Sequence, residues 1–168
     1  QLTGILKILL SESVPITDLK RVLELLSNIN ISNMSIVEIA ETLRPALVGL
    51  LIQKICPINK ELAVITLSPE MEQIIINALK EKNTTGISLD PTFTKNMLKA
   101  IAQAYETASS KGDNCILLTS PIIRKDLANL IRQNIEDLHV LAFTELPETR
   151  RINIIATIEN KLQEENNK

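Results

Sequence analysis

Residues 115–158 read CILLTSPIIRKDLANLIRQNIEDLHVLAFTELPETRRINIIATI, and this stretch decides the fold class. Two apolar runs within it, Cys115 to Thr119 and Val140 to Phe143, have the composition of strands that are buried on both faces. An amphipathic helix that opens at Ser120-Pro121 joins them. The order strand, helix, strand predicts two adjacent parallel strands with a right-handed βαβ crossover.

The last predicted strand follows the turn Glu145-Leu146-Pro147-Glu148-Thr149, which is short enough for a hairpin. We therefore expect this strand to run antiparallel at an edge of the sheet. A further β-branched run, LAVITL at residues 62–67, brings the predicted sheet to about four strands of mixed direction. The alternation of the last strand predicts that its apolar residues share one face: Ile152, Ile154, Ala156 and Ile158.

The first third of the chain has the periodicity of helices. Leu2 to Leu10 predicts one helix, and the break that follows opens a second helix with Thr17 as its predicted N-cap. Ser35 and Glu38 have the spacing of a capping box for a third helix. The second helix carries an apolar stripe that predicts a single buried face: Leu19, Val22, Leu23 and Leu26.

Proline marks the boundaries of the predicted elements. Pro45 is expected to kink or split the third helix, and Pro57 ends the helical region. We predict an α+β fold in which residues 1–57 form a helical subdomain and residues 58–158 a small α/β subdomain containing the βαβ unit. Residues 82–86 are expected to be mobile and residues 159–168 to be a disordered tail. Three later helices each begin with a capping side chain followed by proline: Ser68-Pro69, Asp90-Pro91 and Ser120-Pro121.

The composition excludes several classes of function. The 168 residues include 18 basic and 20 acidic side chains, which leaves no cationic face by count. Two Phe, one Tyr and no Trp offer few surfaces on which bases could stack, so nucleic acid is not an expected partner. No apolar run approaches the roughly 20 residues that span a bilayer. Because the chain begins at Gln1 without a leader, we interpret it as a soluble piece of a longer protein.

The cysteines do not indicate a metal site. Cys56 and Cys115 are far apart in sequence, and the chain has one histidine. Cysteine and histidine alone therefore cannot supply the roughly four ligands of a zinc site. We predict two buried thiols in a reducing compartment, with no metal and no cofactor.

Each candidate catalytic residue has a simpler structural explanation. Ser120 lies where a strand meets a helix, but its neighbours are not the glycines of a nucleophile elbow, and an N-cap explains it. His139 has no carboxylate at a spacing typical of general base catalysis. Glu70 and Glu72 lie in the first turn of a helix, where negative charge complements the helix dipole. The four glycines form no phosphate-binding motif, so the chain is not expected to be an enzyme.

The sequence offers two candidate binding surfaces, a helix-turn-helix and a basic patch. A helix-turn-helix is disfavoured, because the exposed face expected for residues 37–52 offers only Glu38, Glu41, Thr42 and Arg44, a composition that would repel phosphate more than attract it. A basic patch is a candidate site for an acidic protein, with a solvated rim as the simpler interpretation; it comprises Lys125, Arg132, Arg150 and Arg151.

Several short segments occur in an order that one protein family shares. Val14-Pro15-Ile16-Thr17-Asp18-Leu19 is similar to the segment VPIRDL, with Thr17 where arginine is usual. Leu67-Ser68-Pro69-Glu70 with Ala78-Leu79 matches its strand-to-helix junction. Its C-terminal block is matched by Leu118-Thr119-Ser120-Pro121 with Arg124, and by Val140-Leu141 with Glu145-Leu146. Together these segments resemble the export-gate family of type III protein secretion, over residues 2–158.

The closing segment bears on the branch of that family. Arg151-Ile152 and Ala156-Thr157-Ile158 resemble flagellar members more than injectisome members, although many members have glycine where Ala156 stands. Gly49, where arginine is common, and Pro45 are departures on the third helix.

The resemblance implies a role in assembly and docking. Members of the family span the bacterial inner membrane with their N-terminal half, and their cytoplasmic half forms a nine-membered ring beneath the export pore. That ring docks export chaperones with their cargo, along with other proteins of the export apparatus. By resemblance, this chain is the last two of four cytoplasmic subdomains, and the main chaperone pocket lies mostly in the preceding ones. The chain would reach the membrane only through the N-terminal half.

Two hypotheses follow. The first is a flagellar export gate whose helical subdomain contacts neighbouring ring subunits, with an injectisome homologue as the alternative branch. The second is a stand-alone regulatory α/β domain that binds a small ligand at the carboxyl ends of its parallel strands, near Thr119-Ser120 and Thr144-Glu145.

Overall fold

The computed structural model describes residues 1–80 and 89–160, which form two compact units. Unit 1 comprises residues 1–59 together with residues 145–147, and unit 2 comprises the other described residues from 60 onward. The predicted mobile loop at residues 82–86 lies outside the described residues. So does most of the predicted tail, residues 161–168.

Unit 1 is helical, with α1 at Leu2–Ser11, α2 at Leu19–Ser27, α3 at Ile36–Leu47 and α4 at Gly49–Ile55. The predicted capping box is confirmed, since Ser35 Oγ accepts from the Glu38 N–H at 3.2 Å and Glu38 Oε2 accepts from the Ser35 N–H at 2.7 Å. The first three helices and the turn after α1 share one core: Ile5, Leu9, Val14, Val22, Ile39, Ala40, Leu43 and Leu47.

One predicted N-cap in unit 1 is wrong by one residue, and the split predicted at Pro45 falls three residues later. The N-cap of α2 is Asp18 rather than Thr17, because the Asp18 carboxylate accepts from the Arg21 N–H at 3.0 Å. Pro45 lies inside α3, and the break between α3 and α4 falls at Val48. A proline removes a single backbone donor, and α3 ends only two residues after it.

Unit 2 contains a sheet of four parallel strands in the order β3-β2-β1-β4. The α+β class, the number of strands and the parallel βαβ unit are confirmed. The elements are β1 (Leu62–Leu67), α5 (Pro69–Lys80), α6 (Pro91–Ser110), β2 (Cys115–Thr119), α7 (Pro121–Arg132), β3 (Val140–Ala142) and β4 (Ile152–Ile158), with a 3-10 turn at Phe143–Glu145.

The cluster that the helices of unit 2 share with this sheet lies on one of its faces, although the opposite face is buried as well, at Val64, Ile116 and Leu141. The chain proceeds from β1 to β2 to β3 in one direction, and right-handed crossovers then place the intervening helices on the same side. Side chains of α5, α6 and α7 accordingly share one cluster with that face of the sheet. Its fully buried members include Ile65, Ile75, Ile101, Leu117, Ile123, Leu127 and Ile131.

The direction predicted for the last strand is wrong. β4 lies at an edge, as expected, but it pairs in parallel with β1 at the opposite end of the sheet from β3. A hairpin turn joins neighbouring strands, and β3 and β4 are not neighbours. The segment between them is therefore a crossing connection, and all strand pairs of the sheet are parallel rather than mixed.

The predicted common face of β4 is also wrong. Val64 pairs with Ile154 and Ile65 pairs with Ala156, so Ile155 is an extra residue in the strand. Such a bulge exchanges the two faces of everything that follows it. Ile152 and Ile154 lie on one face, and Ala156 and Ile158 lie on the other, which is the core face.

The three proline-led helices are capped in different ways. The Asp90 carboxylate accepts from the Phe93 N–H at 2.9 Å, and Ser68 Oγ accepts from the Met71 N–H at 3.3 Å. Ser120 occupies the N-cap position of α7, but its side chain makes no capping hydrogen bond. Ser120 therefore occupies the predicted N-cap position, but the prediction that its hydroxyl caps the helix is wrong.

This difference predicts unequal effects of two matched substitutions in unit 2. Asp90→Ala removes a capping bond and should lower the free energy of unfolding by about 1 kcal/mol. Ser120→Ala removes a hydroxyl without a hydrogen-bond partner and should change it by less than about 0.5 kcal/mol. Urea unfolding followed by circular dichroism measures both. Equal losses for the two variants would contradict the assigned caps.

Candidate functional site

The carboxyl edge of the sheet is occupied by the chain's own groups. Glu72, in the first turn of α5, accepts through Oε1 from the Thr119 hydroxyl at 2.8 Å and from the Ser120 N–H at 2.9 Å. The same carboxylate thereby supplies an acceptor at the N-terminus of α7. These donors are the ones that a small anionic ligand would use at this edge.

Glu145, the other end of the predicted ligand site, belongs to a buried ion cluster in unit 1. Its Oε1 lies 2.7 Å from Arg44 Nε, and the Arg44 guanidinium also contacts the Glu12 carboxylate. The side chains of Arg44, Glu145 and Glu12 are only 4 %, 3 % and 11 % exposed. Each of these two carboxylates attracts the guanidinium strongly, because little water screens the charges in such a buried site.

Arg44 was expected on the exposed face of the third helix, and this is wrong. It follows Ala40 by four residues and precedes Leu47 by three, which places it on the buried face of α3. The helical spacing thus contained the signal, but a charged residue on an apolar face was interpreted as exposed. Its burial is possible only because carboxylates from outside α3 pair with it.

Two of the remaining predicted residues have local backbone or side-chain contacts. His139 is half-buried directly before β3, and its backbone carbonyl accepts from the Leu117 N–H at 2.9 Å. Arg132 donates to Asn129 within its own helix. In the described ranges, no group of three or more His, Cys, Asp or Glu side chains is placed to hold a metal ion. A role of the basic patch stays a prediction.

Both cysteines are buried thiols, as predicted, and neither forms a disulfide. Burial, the largest cause, raises the pKa of the Cys115 thiol from 9.0 to about 11, and the charge of Asp113 adds to this rise, while a backbone hydrogen bond opposes it. A thiol with such a pKa is protonated at neutral pH and is a poor nucleophile.

An apolar helix face in unit 1 is exposed where a buried one was predicted. Leu19 and Leu23, one turn apart on α2, are 45 % and 46 % exposed, whereas Val22 is fully buried and Leu26 is half-buried. We call Leu19 and Leu23 the α2 face. The apolar periodicity of α2 was identified correctly, but the core of unit 1 uses only part of it. Exposed large apolar side chains in a cluster are typical of interaction surfaces.

Comparison with solved structures defines the class of protein. The described fold recurs in the Chlamydia pneumoniae CdsV protein, with a TM-score of 0.81 and 28 % identity over 94 % of this chain and 45 % of that one. It also recurs in the complex of CdsV and CdsO from that organism, with a TM-score of 0.80, 27 % identity and coverage of 92 % and 45 %. Nonameric EPEC SctV-C shares the fold, with a TM-score of 0.79, 20 % identity and coverage of 92 % and 46 %.

Sequence comparison identifies the family. The model of the FHIPEP family matches residues 1–151. The chain is 32 % identical over 156 residues to the flagellar biosynthesis protein FlhA of Buchnera aphidicola subsp. Acyrthosiphon pisum, covering 91 % of this chain and 22 % of that protein. It is 26 % identical over 159 residues to the invasion protein InvA of Salmonella typhimurium, covering 94 % and 23 %. The chain belongs to the FHIPEP family, the type III export-gate proteins.

The match covers a limited part of these relatives. The chain spans less than a quarter of the length of the curated relatives that it matches. In the part of the chain that the structure describes, no helix has both the length and the apolar character needed to cross a bilayer.

The ion cluster of unit 1 predicts a strongly non-additive response. Arg44→Met should lower the free energy of unfolding by about 3–5 kcal/mol, because it leaves buried carboxylates without their cation. Adding Glu145→Met should restore at least about 1 kcal/mol of this loss, since the most buried carboxylate is then gone. Urea unfolding of both variants measures the coupling.

Lys20→Met is the matched control for this cycle. Lys20 pairs with Glu24 at 3.9 Å, but their side chains are 87 % and 55 % exposed. Its loss should change stability by less than about 0.5 kcal/mol. A double variant no more stable than Arg44→Met alone would refute the proposed coupling.

The raised pKa of Cys115 predicts slow thiol chemistry in the folded chain. In a Cys56→Ala variant, Ellman's reagent at pH 8 should react with Cys115 only after unfolding in urea. The associated stability is fully present below pH 9.0 and is lost as the pH rises through about 11, because the thiolate is then favoured in the unfolded state. Rapid reaction of the folded variant at pH 8 would be inconsistent with this burial.

Proposed function

We propose that this chain is an assembly and docking part of a type III protein-export gate, on the cytoplasmic side of the bacterial inner membrane. In this role it associates with copies of itself and receives export chaperones with their cargo, without catalysing a reaction. The observation that carries the proposal is the α2 face, an exposed apolar surface in a chain of the FHIPEP family. The membrane attachment belongs to the rest of the protein.

The α2 face has the character of a protein contact. Its two leucines are flanked on the same helix by the exposed cations Lys20 and Arg21, giving an apolar centre with a charged rim. The Lys20–Glu24 pair is solvated and leaves the leucines uncovered. A second copy is the proposed neighbour, since the related SctV-C is nonameric and the related CdsV forms a complex with CdsO.

The flagellar branch is proposed over the injectisome branch. The support is the similarity of the segment from Arg151 to Ile158 to flagellar members, together with the higher identity to the FlhA of Buchnera aphidicola subsp. Acyrthosiphon pisum, 32 %, than to InvA, 26 %. Deletion of the gene should abolish flagellar assembly and swimming. Normal swimming combined with loss of injectisome secretion would instead assign the chain to the other branch.

The alternative of a small-ligand domain is less well supported. The donors at Thr119 and Ser120 already bind Glu72, and the Glu145 carboxylate already pairs with Arg44. A ligand at this edge would have to displace an internal carboxylate. The loss of those internal contacts makes the free energy of binding less favourable. Saturable binding of a metabolite that Ser120→Ala or Glu145→Gln abolishes would favour this alternative over docking.

The assembly proposal predicts that charge on the α2 face prevents self-association. Leu19→Glu with Leu23→Glu in the full-length protein should shift its detergent-solubilised form from a ring to lower oligomers in analytical ultracentrifugation, because carboxylates would be buried at the contact. Leu50→Glu is the matched control, because Leu50 is 46 % exposed on α4 of the same unit.

Chaperone docking needs a separate readout. The full-length protein should retain export chaperones on an affinity resin, whereas an unrelated membrane protein should not. A full-length protein that is monomeric at high concentration and retains no chaperone would overturn the proposal. An undisturbed ring in the α2-face variant would place the contact on another surface.

A further inference from the structure

The edge strand β4 of unit 2 is open to a further strand. In the described sheet it pairs with β1 alone, so no strand lies on its other side. Its seven residues, INIIATI, include neither a charge nor a proline, although these are the usual protections of an edge. Three of them are exposed isoleucines: Ile152, Ile154 and Ile155. An uncharged, apolar edge of this length is suited to pairing with another strand.

The backbone of β4 determines which residues are available for this pairing. Arg151 and Ile158 direct their carbonyls to backbone N–H groups at the start of β1 and directly after its end, at 3.0 and 2.8 Å. Successive residues of a strand direct their backbone groups to opposite sides, so Ile152 and Thr157 present theirs away from β1. Their partners in β1 are an even number of positions apart, which places both side chains on the same face of the sheet.

The bulge at Ile155 makes β4 complementary to itself. In a regular strand, residues whose positions differ by five face opposite sides and cannot oppose each other in an antiparallel pair. The extra residue in β4 removes this conflict for Ile152 and Thr157. An antiparallel second copy can then set its Thr157 against Ile152 and its Ala156 against Asn153, and the reciprocal pairs follow by symmetry. This register pairs the strand over its whole length.

The charges at the two ends of β4 favour the same arrangement. Arg150 and Arg151 precede the strand, and Glu159 follows it. Antiparallel pairing brings Glu159 of each copy beside the arginines of the other, whereas parallel pairing in register would bring like charges together. The groove between β4 and α6 is balanced in charge as well, which suits a second copy better than a strongly charged partner. Its charged lining residues are Lys99, Lys111, Asp113 and Glu159.

We propose that β4 pairs with β4 of a second copy of this chain, antiparallel and about a two-fold axis, which joins two four-stranded sheets into one. The two Ile152–Thr157 pairs supply about four main-chain hydrogen bonds. Ile154 lies next to the axis, where the second copy covers its exposed side chain. A two-fold contact closes at two copies and cannot recur between neighbours around a larger ring. It is therefore separate from self-association through the α2 face.

The test uses the complete 168-residue chain carrying Leu19→Glu and Leu23→Glu, so that the α2 face cannot contribute. Sedimentation velocity over a concentration series should show a monomer–dimer equilibrium. Thr157→Pro removes one outward N–H from each copy and should weaken dimerisation at least about fivefold. Thr157→Val is the matched control. It keeps this N–H and removes only the hydroxyl, which lies 3.1 Å from Thr66 Oγ1, so the dimer should persist.

A charge near the axis provides a second variant that leaves every backbone group in place. Ile154→Lys puts two cations beside each other at the contact and should abolish dimerisation, because like charges repel and would lose their hydration. Ile122→Lys is the matched control, since Ile122 lies on α7 of the same unit and is 66 % exposed, against 56 % for Ile154. It should leave dimerisation unchanged. Circular dichroism checks that both variants remain folded.

Disulfide trapping tests the register. Asn153→Cys in one chain and Ala156→Cys in another would oppose each other as a non-hydrogen-bonded pair, with Cα atoms about 4.5 Å apart and within disulfide range. After mixing and oxidation they should form a covalent dimer that neither variant forms alone. Thr157→Cys replaces Ala156→Cys in the control mixture and should not crosslink, because residue 157 lies on the other face. The unsubstituted chain, whose two thiols are buried, gives the background.

Several results would overturn the proposal. A chain that stays monomeric at every concentration would refute it, and so would a dimer that neither Thr157→Pro nor Ile154→Lys weakens. Crosslinking of the control mixture in place of the designed pair would refute the register. A dimer that forms only in a chain ending at Asn160 would show that residues 161–168 occupy the edge instead of a second copy. The inference goes beyond the proposed assembly function, and these outcomes depend on neither ring formation nor chaperone docking.

Discussion

The guanidinium of Arg44 lies almost out of contact with water between the carboxylates of Glu145 and Glu12, and much of unit 1 is organised by this contact. Glu12 is the C-cap residue of α1, Arg44 lies near the end of α3, and Glu145 comes from a segment about a hundred positions later. Apolar packing tolerates small displacements, but a buried charge requires its partners in place. Glu145, which supplies one of these carboxylates, belongs to unit 1 together with the two residues that follow it.

The connection between β3 and β4 contains Glu145 of this contact and is no hairpin. Its central residues are held by unit 1, and the chain then enters the opposite edge of the sheet in the parallel direction. A parallel edge strand still has to match its neighbour, and β4 does so through the bulge at Ile155. The bulge returns Ala156 and Ile158 to the core face and leaves Ile152 and Ile154 on the other.

Local chemistry in the sequence predicted elements well, and long-range partners account for the failures. β1 was predicted to the residue, and the three proline-led helices begin where a cap followed by proline places them. The N-cap of α2 is Asp18 and not the adjacent Thr17, and both residue types favour this position. The burial of Arg44, the exposure of Leu19 and Leu23 and the direction of β4 all depend on residues far away in sequence. For Arg44 the helical spacing indicated the buried face but not the carboxylates that permit its burial, and for Leu19, Leu23 and β4 no periodicity within one helix or strand contains the information.

Gly49 departs from the family pattern at a position where the structure tolerates other residues. Gly49 begins α4 without a positive φ, and a Cβ there would meet no atom within 4 Å. The backbone does not require glycine at this position, so an arginine could stand there without a steric conflict. The buried positions of α3 are different, because Leu43, Arg44 and Leu47 are each fixed by core or charge partners. Variation between relatives should therefore concentrate on exposed positions such as Gly49, where it can alter what the helical unit contacts without altering how it folds.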